Sequence, residues 1–245
     1  MSVKNHIPNF ITSLNLLCGA LAAFYALNGK LGTAALLIFA GALFDFTDGF
    51  AARMLKAYSP MGKELDSLAD MISFGFAPMA ILHMMLKQTV LGDIQADFFQ
   101  ANILNQAFVL SPFVITVFSG LRLAKFNVDT RQTESFIGLT TTATGLFISS
   151  LGFVFVHDLN WLNDLIQNQW LLLTFVPVFS FLLVSEIPMF SLKFKNFKLL
   201  QNLDKFVLLL SGLIMIVWLG VGGIAVVIAL YVFFSVIKLV FVKIN

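Results

Sequence analysis

Eight apolar stretches joined by short polar links leave this chain few ways to fold. They cover residues 10–27, 31–55, 60–86, 104–126, 136–156, 170–190, 206–219 and 224–241. A helix needs about 20 mostly apolar residues to cross a bilayer, and in lipid each backbone polar group must bond within the protein. The pattern predicts an all-α polytopic membrane protein with about eight transmembrane helices. Composition agrees: 59% of residues are hydrophobic and 11% charged, against about 25% charged in a soluble domain. The sequence carries no soluble domain, repeat or low-complexity segment, so residues 1–245 read as one integral membrane domain. Its 28 Phe residues read as lipid-facing or packing bulk.

Orientation follows from the cations, because Lys and Arg concentrate in cytoplasmic loops. With the N-terminus and Lys4 inside, Arg53, Lys56, Lys63, Arg122, Lys125 and Arg131 also fall inside. So do Lys193, Lys195, Lys198, Lys205, Lys238 and Lys243, leaving Lys30 and Lys87 outside. Asp93, Asp97, Asp158 and Asp164 occupy the external links, and both termini are cytoplasmic. Residues 2–9 are expected to form a short interfacial helix, and residues 88–103 and 191–204 to be connecting loops, the second a basic strip facing anionic lipid. Trp161 and Trp170 suit an interfacial aromatic belt.

Several functions are disfavoured. A net charge of +2, with no basic run interleaved with aromatics, gives nucleic acid no surface. Cys18 is the only cysteine, so no intrachain disulfide forms. Bulky Leu17 precedes it where a lipoprotein cleavage site needs a small residue, so the first segment reads as retained and Cys18 as packing. His6, His83 and His157 are scattered, without metal-ligand spacing. Glu186 stands isolated late in the sixth segment, and Lys63 and Glu64 read as surface groups.

Four carboxylates break the apolar pattern. Asp45, Asp48, Gly49, Ala52 and Arg53 fall at i, i+3, i+4, i+7 and i+8, on one face of a helix; Gly62, Asp66 and Asp70 share a face of the next. Pro60 suits the first turn of that second helix. Two antiparallel helices then aim all four carboxylates into one cleft at the cytoplasmic end. Ionisable groups at membrane depth are costly and point to function. Arg53 alone does not compensate four negative charges, whereas hard divalent cations, Mg²⁺ or Mn²⁺, match oxygen donors and share them with substrate phosphates. Two such ions would orient a pyrophosphate, and Gly49, Ala52 and Gly62 leave room for a nucleotide. Taken singly, each small residue reads as helix packing. Eight positions at fixed spacing arise by chance on the order of 10⁻¹⁰ per start from average residue usage.

Read whole, D-x2-D-G-x2-A-R-x8-G-x3-D-x3-D resembles the motif of the CDP-alcohol phosphatidyltransferases at all eight positions. That resemblance implies a six-helix core plus two helices at about 206–241, and transfer of a phosphatidyl group from a CDP-linked lipid to an alcohol with release of CMP. It implies that Asp45, Asp48, Asp66 and Asp70 bind metal and that Asp70 is also the general base. It implies CDP-lipid contacts from Asn9, Thr12, Asp48, Gly49, Ala52, Arg53, Ser59 and Gly62, and a homodimer. Asn9-Phe10-Ile11-Thr12-x2-Asn15-Leu16-Leu17-Cys18-Gly19 is similar to the bacterial-type phosphatidylserine synthase branch. So are residues 65–78 and Arg122-Leu123-Ala124-Lys125-Phe126-Asn127. Thr140-Thr141-Thr142 departs from that branch, which commonly has prolines after the preceding Gly-Leu.

The expected reaction is attack of the L-serine hydroxyl on CDP-diacylglycerol, with Asp70 taking the proton and two metals assisting. Arg122, Lys125 and Asn127 are candidates for the serine carboxylate, although positive-inside anchoring accounts for the two cations equally. Two alternatives stay open: another acceptor such as glycerol phosphate or inositol phosphate, and an ion or proton transporter using the carboxylates as a relay. A relay needs polar groups across the bilayer, and the first, fifth, seventh and eighth spans have no carboxylate.

Overall fold

The fold was obtained as a computed structural model that describes residues 6–129, 137–157, 161–189 and 203–244. Helix α1 (His6–Leu27) turns at Gly29 into α2 (Leu31–Leu55). The two pack along their length through small residues, with Ala22, Ala26, Ala34 and Ala35 fully buried. Such residues let membrane helices approach closely.

The end of α2 and the start of α3 (Pro60–Asp70) are both set locally. Lys56 takes a left-handed conformation with φ 50°, and the N–H groups of Lys56 and Ala57 close back onto Arg53 and Ala52 carbonyls. Ser59 then caps α3, its Oγ accepting the Gly62 N–H at 3.0 Å, with Pro60 in the first turn. A turn of this kind returns the chain beside itself within a few residues.

Helix α3 passes into a π turn at Met71–Phe76 and then α4 (Ala77–Leu91). Pro78 supplies the cause, since it lacks an N–H and its ring clashes with the carbonyl four residues back. The helix widens by one residue instead, and the Ala77 N–H reaches the Ile72 carbonyl. Helix α4 is the central strut: Ala77 to Leu82 and Met84 to Leu86 are all buried.

Helices α5 (Ile103–Leu110) and α6 (Phe113–Val128) form one span broken at Ser111-Pro112. Then follow α7 (Thr141–His157), the short α8 (Leu162–Ile166) and α9 (Gln169–Val184). Helices α10 (Leu203–Leu219) and α11 (Gly223–Ile244) fold back at Gly220, whose φ is 57°. A Cβ on Gly212 would lie 3.3 Å from a Val227 methyl, so the two run side by side as a hairpin.

The predicted architecture holds. Helical stretches at His6–Leu27, Leu31–Leu55, Pro60–Leu91, Ile103–Val128 and Phe206–Ile237 are long and apolar enough to cross a bilayer, and α7 and α9 are shorter apolar helices. With the last stretch folded into a hairpin, these make eight apolar helical units. Large apolar side chains such as Phe10, Leu43, Phe46 and Val217 face outward, as lipid-facing surface requires. No strand occurs among the described residues; an isolated bridge joins Ile137 to Pro188.

Several boundaries differ from expectation. No separate interfacial helix occupies residues 6–9, because α1 begins at His6 and runs unbroken. The third unit continues to Leu91, and a short 3-10 turn at Phe98–Gln100 interrupts the expected loop. Helix α7 begins at Thr141: Gly138 takes φ 74°, while the N–H groups of Gly138 and Leu139 bond to the Ile187 and Leu182 carbonyls. Thr140 caps α7, its Oγ1 accepting the Ala143 N–H at 3.1 Å. Helix α9 stops at Val184, where Ser185 turns extended. Lys4, Arg131, Phe136, Asp158, Lys193, Lys195 and Lys198 lie outside the described residues.

Candidate active site

The tight turn between α2 and α3 brings the two halves of the carboxylate motif together. Oxygen atoms of Asp45, Asp48 and Asp66 lie within 4.8 Å of one another. Asp48 is buried, and its Oδ2 is enclosed without a hydrogen-bond partner. Three ionised carboxylates this close repel by about 3 kcal/mol per pair at an effective dielectric near 20. Hard divalent cations compensate that charge, and an all-oxygen donor set with an unpartnered buried oxygen fits them.

These carboxylates form one wall of a cleft of about 290 Å³. All eight residues predicted to contact a CDP-lipid line it: Asn9 and Thr12 from α1, Asp48, Gly49, Ala52 and Arg53 from α2, and Ser59 and Gly62 at the start of α3. The two glycines do different things. A Cβ on Gly49 would meet only Arg53 Nη1, at 3.7 Å, so that side opens into the cleft beneath the guanidinium. At Gly62 a Cβ would meet Asn9 Oδ1 at 2.8 Å and Ser59 Oγ at 3.0 Å. Gly62 therefore lets α1 close on α3, rather than only leaving nucleotide space.

Pro8, Ala57, Tyr58 and Lys63 complete the cleft. Lys63 was expected to be a plain surface group. It is exposed, yet it lines the cleft and its Nζ donates to the Asn127 carbonyl at 3.2 Å. Tyr58 and Ala57 carry no motif signal; they belong to the site because the left-handed Lys56 turns the link across the cleft mouth.

Asp70 is set apart from the three-carboxylate group. It lies one turn beyond Asp66, at the entry to the π turn, and its Oδ1 is buried without a partner. Its charge neighbours are Asp45, Asp66, Arg122 and Asp48. Arg122 is 7% exposed and also stacks on the Phe126 ring, 4.9 Å from its centroid. Arg122 thus places a buried positive charge near the Asp70 carboxylate without a direct ion pair, Asp70 Oδ1 being unpartnered.

The other two predicted serine contacts are not gathered with Arg122. Lys125 Nζ pairs with Glu186 Oε1 at 3.3 Å. Asn127 Nδ2 donates to Ser67 Oγ at 2.9 Å. These bonds tie the end of α6 to the end of α9 and to α3. Glu186 is therefore not isolated; its partner lies on a helix far away in sequence.

The packing around Asp70 is close. Ser73 Oγ donates to the Asn15 carbonyl at 2.9 Å, and a Cβ on Gly19 would collide with Ser73. Thr116 Oγ1 donates to the Gly75 carbonyl at 2.8 Å. Both bonds hold the π turn directly after Asp70. Among the described residues the carboxylate cluster sits at one end of the bundle, the arrangement least suited to a transmembrane relay.

Known proteins share this arrangement of sequence. Residues 5–185 match the model of the CDP-alcohol phosphatidyltransferase family. A CDP-diacylglycerol–serine O-phosphatidyltransferase of Bacillus subtilis (strain 168) is 34% identical over 196 residues, covering 79% of this chain and 92% of the relative. One from Helicobacter pylori (strain ATCC 700392 / 26695) is 27% identical over 241 residues, covering 97% and 92%. An archaetidylserine synthase of Methanothermobacter thermautotrophicus is 32% identical over 146 residues, covering 59% and 56%. The cleft and these matches together place the chain in the CDP-alcohol phosphatidyltransferase family.

Proposed function

We propose that this protein synthesises phosphatidylserine by transferring the phosphatidyl group of CDP-diacylglycerol to L-serine. The observation that carries the reading is the cleft in which the eight expected CDP-lipid contacts, Asp48 among them, line the same space as the three convergent carboxylates. Two relatives matched over 92% of their own length are serine O-phosphatidyltransferases, which favours serine over a phosphorylated acceptor.

In this reading Asp45, Asp48 and Asp66 hold two divalent cations, Mg²⁺ or Mn²⁺, with Asp70 completing the set. Bound there, the cations supply positive charge against the pyrophosphate. Asn9, Thr12, Ser59 and the open side of Gly49 receive the cytidine end, and Arg53 covers the phosphates. Asp70 takes the serine hydroxyl proton while that oxygen attacks the lipid-side phosphorus. A new P–O bond forms, the pyrophosphate bridge breaks, and CMP leaves with the bonding electrons. No covalent lipid–enzyme intermediate is required. Arg122 orients Asp70 and meets the serine carboxylate. Lys125 and Asn127 keep the end of α6 in place beside it.

The cleft faces the cytoplasm of a bacterial cell in this reading. Arg53 and Lys63 line it, Lys56 lies in the turn between its two helices, and the positive-inside rule assigns that end to the cytoplasm. Soluble serine and released CMP then exchange with the cytoplasm, while the lipid tails stay in the bilayer.

The test is CMP release by the purified protein in lipid–detergent micelles, with CDP-diacylglycerol and a panel of serine, glycerol phosphate and inositol phosphate. Serine alone is expected to release CMP and yield phosphatidylserine in equal amounts. Turnover with a phosphorylated alcohol and none with serine defeats the serine reading while leaving the reaction class.

A further inference from the structure

We propose that Thr141 and the N-terminal turn of α7 form the second half of the acceptor site, receiving the serine carboxylate opposite Arg122. This rests on the serine reading above.

Helix α7 packs closely on the helix that carries Asp70. A Cβ on Gly145 would touch the Phe74 backbone, and one on Gly152 would collide with Ile81. The two crossings share one offset along the chain, so α7 runs parallel to the π turn and α4. Stepping back one helical turn from Gly145 and Phe74 brings Thr141 level with Asp70. Thr141 lies four residues before Gly145, on the same face of α7. Its side chain therefore projects towards the level of Asp70.

Three observations meet at that level. Thr141 is 0% exposed, and its Oγ1 has no hydrogen-bond partner. The Asp70 Oδ1 is likewise enclosed and unpartnered. The Arg122 guanidinium belongs to α6, which runs antiparallel to the π turn, as Thr116 on Gly75 and the approach of Gly120 to Met71 require, and this register brings its charge to the end of the turn that carries Asp70. Buried hydroxyls without partners are uncommon, because an unmet donor costs free energy. A hydroxyl and a carboxylate oxygen, both enclosed and unpartnered at one level beside a buried guanidinium, leave bonding capacity there for a small polar occupant.

The chemistry of the occupant follows. Thr140 caps α7 by accepting the Ala143 N–H, which leaves the first-turn amides of Thr141 and Thr142 as the donors a helix start offers to an anion. The Thr141 hydroxyl, that helix end and Arg122 all favour negative charge, while Asp70 beside them accepts a hydroxyl proton. L-Serine carries both groups within one small molecule. An acceptor without a carboxylate leaves the Thr141 side unpaired, so Thr141 also determines specificity.

Thr141→Val keeps the shape and removes the hydroxyl. Serine KM is expected to rise at least about tenfold, with kcat and the CDP-diacylglycerol KM within about twofold of wild type and Thr141→Ser restoring the serine KM. A serine KM within about twofold of wild type overturns the assignment, and so does a parallel loss in both substrates, which marks a structural role. Should the Val variant not fold, Thr141→Ser and Thr141→Ala make the same comparison, and equal serine KM in that pair overturns it. Wild-type protein that turns over no serine defeats the serine reading; serine turnover unaffected by losing the hydroxyl defeats only the role of Thr141.

Discussion

The cleft proposed for the CDP-lipid takes its side chains from α1, α2 and α3, neighbours in sequence joined by two short turns, whereas the acceptor side proposed around Asp70 draws on α6 and α7, distant in sequence. On the donor side each expected residue arrives where its spacing puts it. On the acceptor side three expected residues separate: one faces Asp70, and two are engaged elsewhere. A motif on two adjacent helices inherits its geometry from helical periodicity and one turn. A site assembled from distant helices depends on tertiary register, which no local pattern encodes.

The largest expected effect breaks the donor side. Asp66→Asn removes one of three oxygen donors within 4.8 Å, and transfer should fall by about 10³-fold or more. Stabilisation by Mg²⁺ in a thermal-unfolding assay should shrink with it. A variant that keeps both dismisses Asp66 as a metal ligand.

Next comes the acceptor side. Arg122→Ala should raise serine KM by roughly 30- to 100-fold, the equivalent of about 2–3 kcal/mol for a charge-assisted contact, while CDP-diacylglycerol KM changes little. An unchanged serine KM returns Arg122 to a purely structural part.

A smaller effect separates the two glycines. Gly62→Ala forces a Cβ against Asn9 and Ser59 and should cost about 1–3 kcal/mol of stability, with weaker CDP-lipid binding. Gly49→Ala meets only Arg53 Nη1 and should leave stability within about 0.5 kcal/mol. Urea or thermal unfolding in micelles measures both, and reversal of the order contradicts the assigned close approach of α1 to α3.

The smallest effect belongs to the Lys125–Glu186 pair, whose side chains are 41% and 67% exposed. Glu186→Gln should change stability by less than about 1 kcal/mol and serine KM by less than about twofold. A tenfold KM change moves this pair into the acceptor site.

The sequence carried the helical units and the donor cleft because both rest on periodicity. Asp45, Asp48 and Asp66 converge as their spacing requires, and Ser59 and Pro60 announce the turn that makes it so. The π turn has no periodic signature; its signal is Pro78 inside an apolar run. Hydropathy alone starts α7 too early because residues 137–139 continue the apolar pattern; Gly138 at positive φ, held by the Ile187 carbonyl, breaks the helix there. Glu186 reads as solitary in sequence because its partner Lys125 lies on another helix, and the level proposed for Thr141 follows only from the packing of α7 on the π turn and α4.

The division between a binding cleft and a reacting carboxylate meets its most direct test in purified Asp70→Asn. CDP-diacylglycerol binding and phosphatidyl transfer would be measured on the same preparation. Affinity for the CDP-lipid should stay within about threefold of wild type while transfer falls by about 10³-fold or more, within the range for loss of a general base that is also a metal ligand. Near-normal turnover, or an equal loss of binding and transfer, contradicts the separation of Asp70 from the three carboxylates beside it.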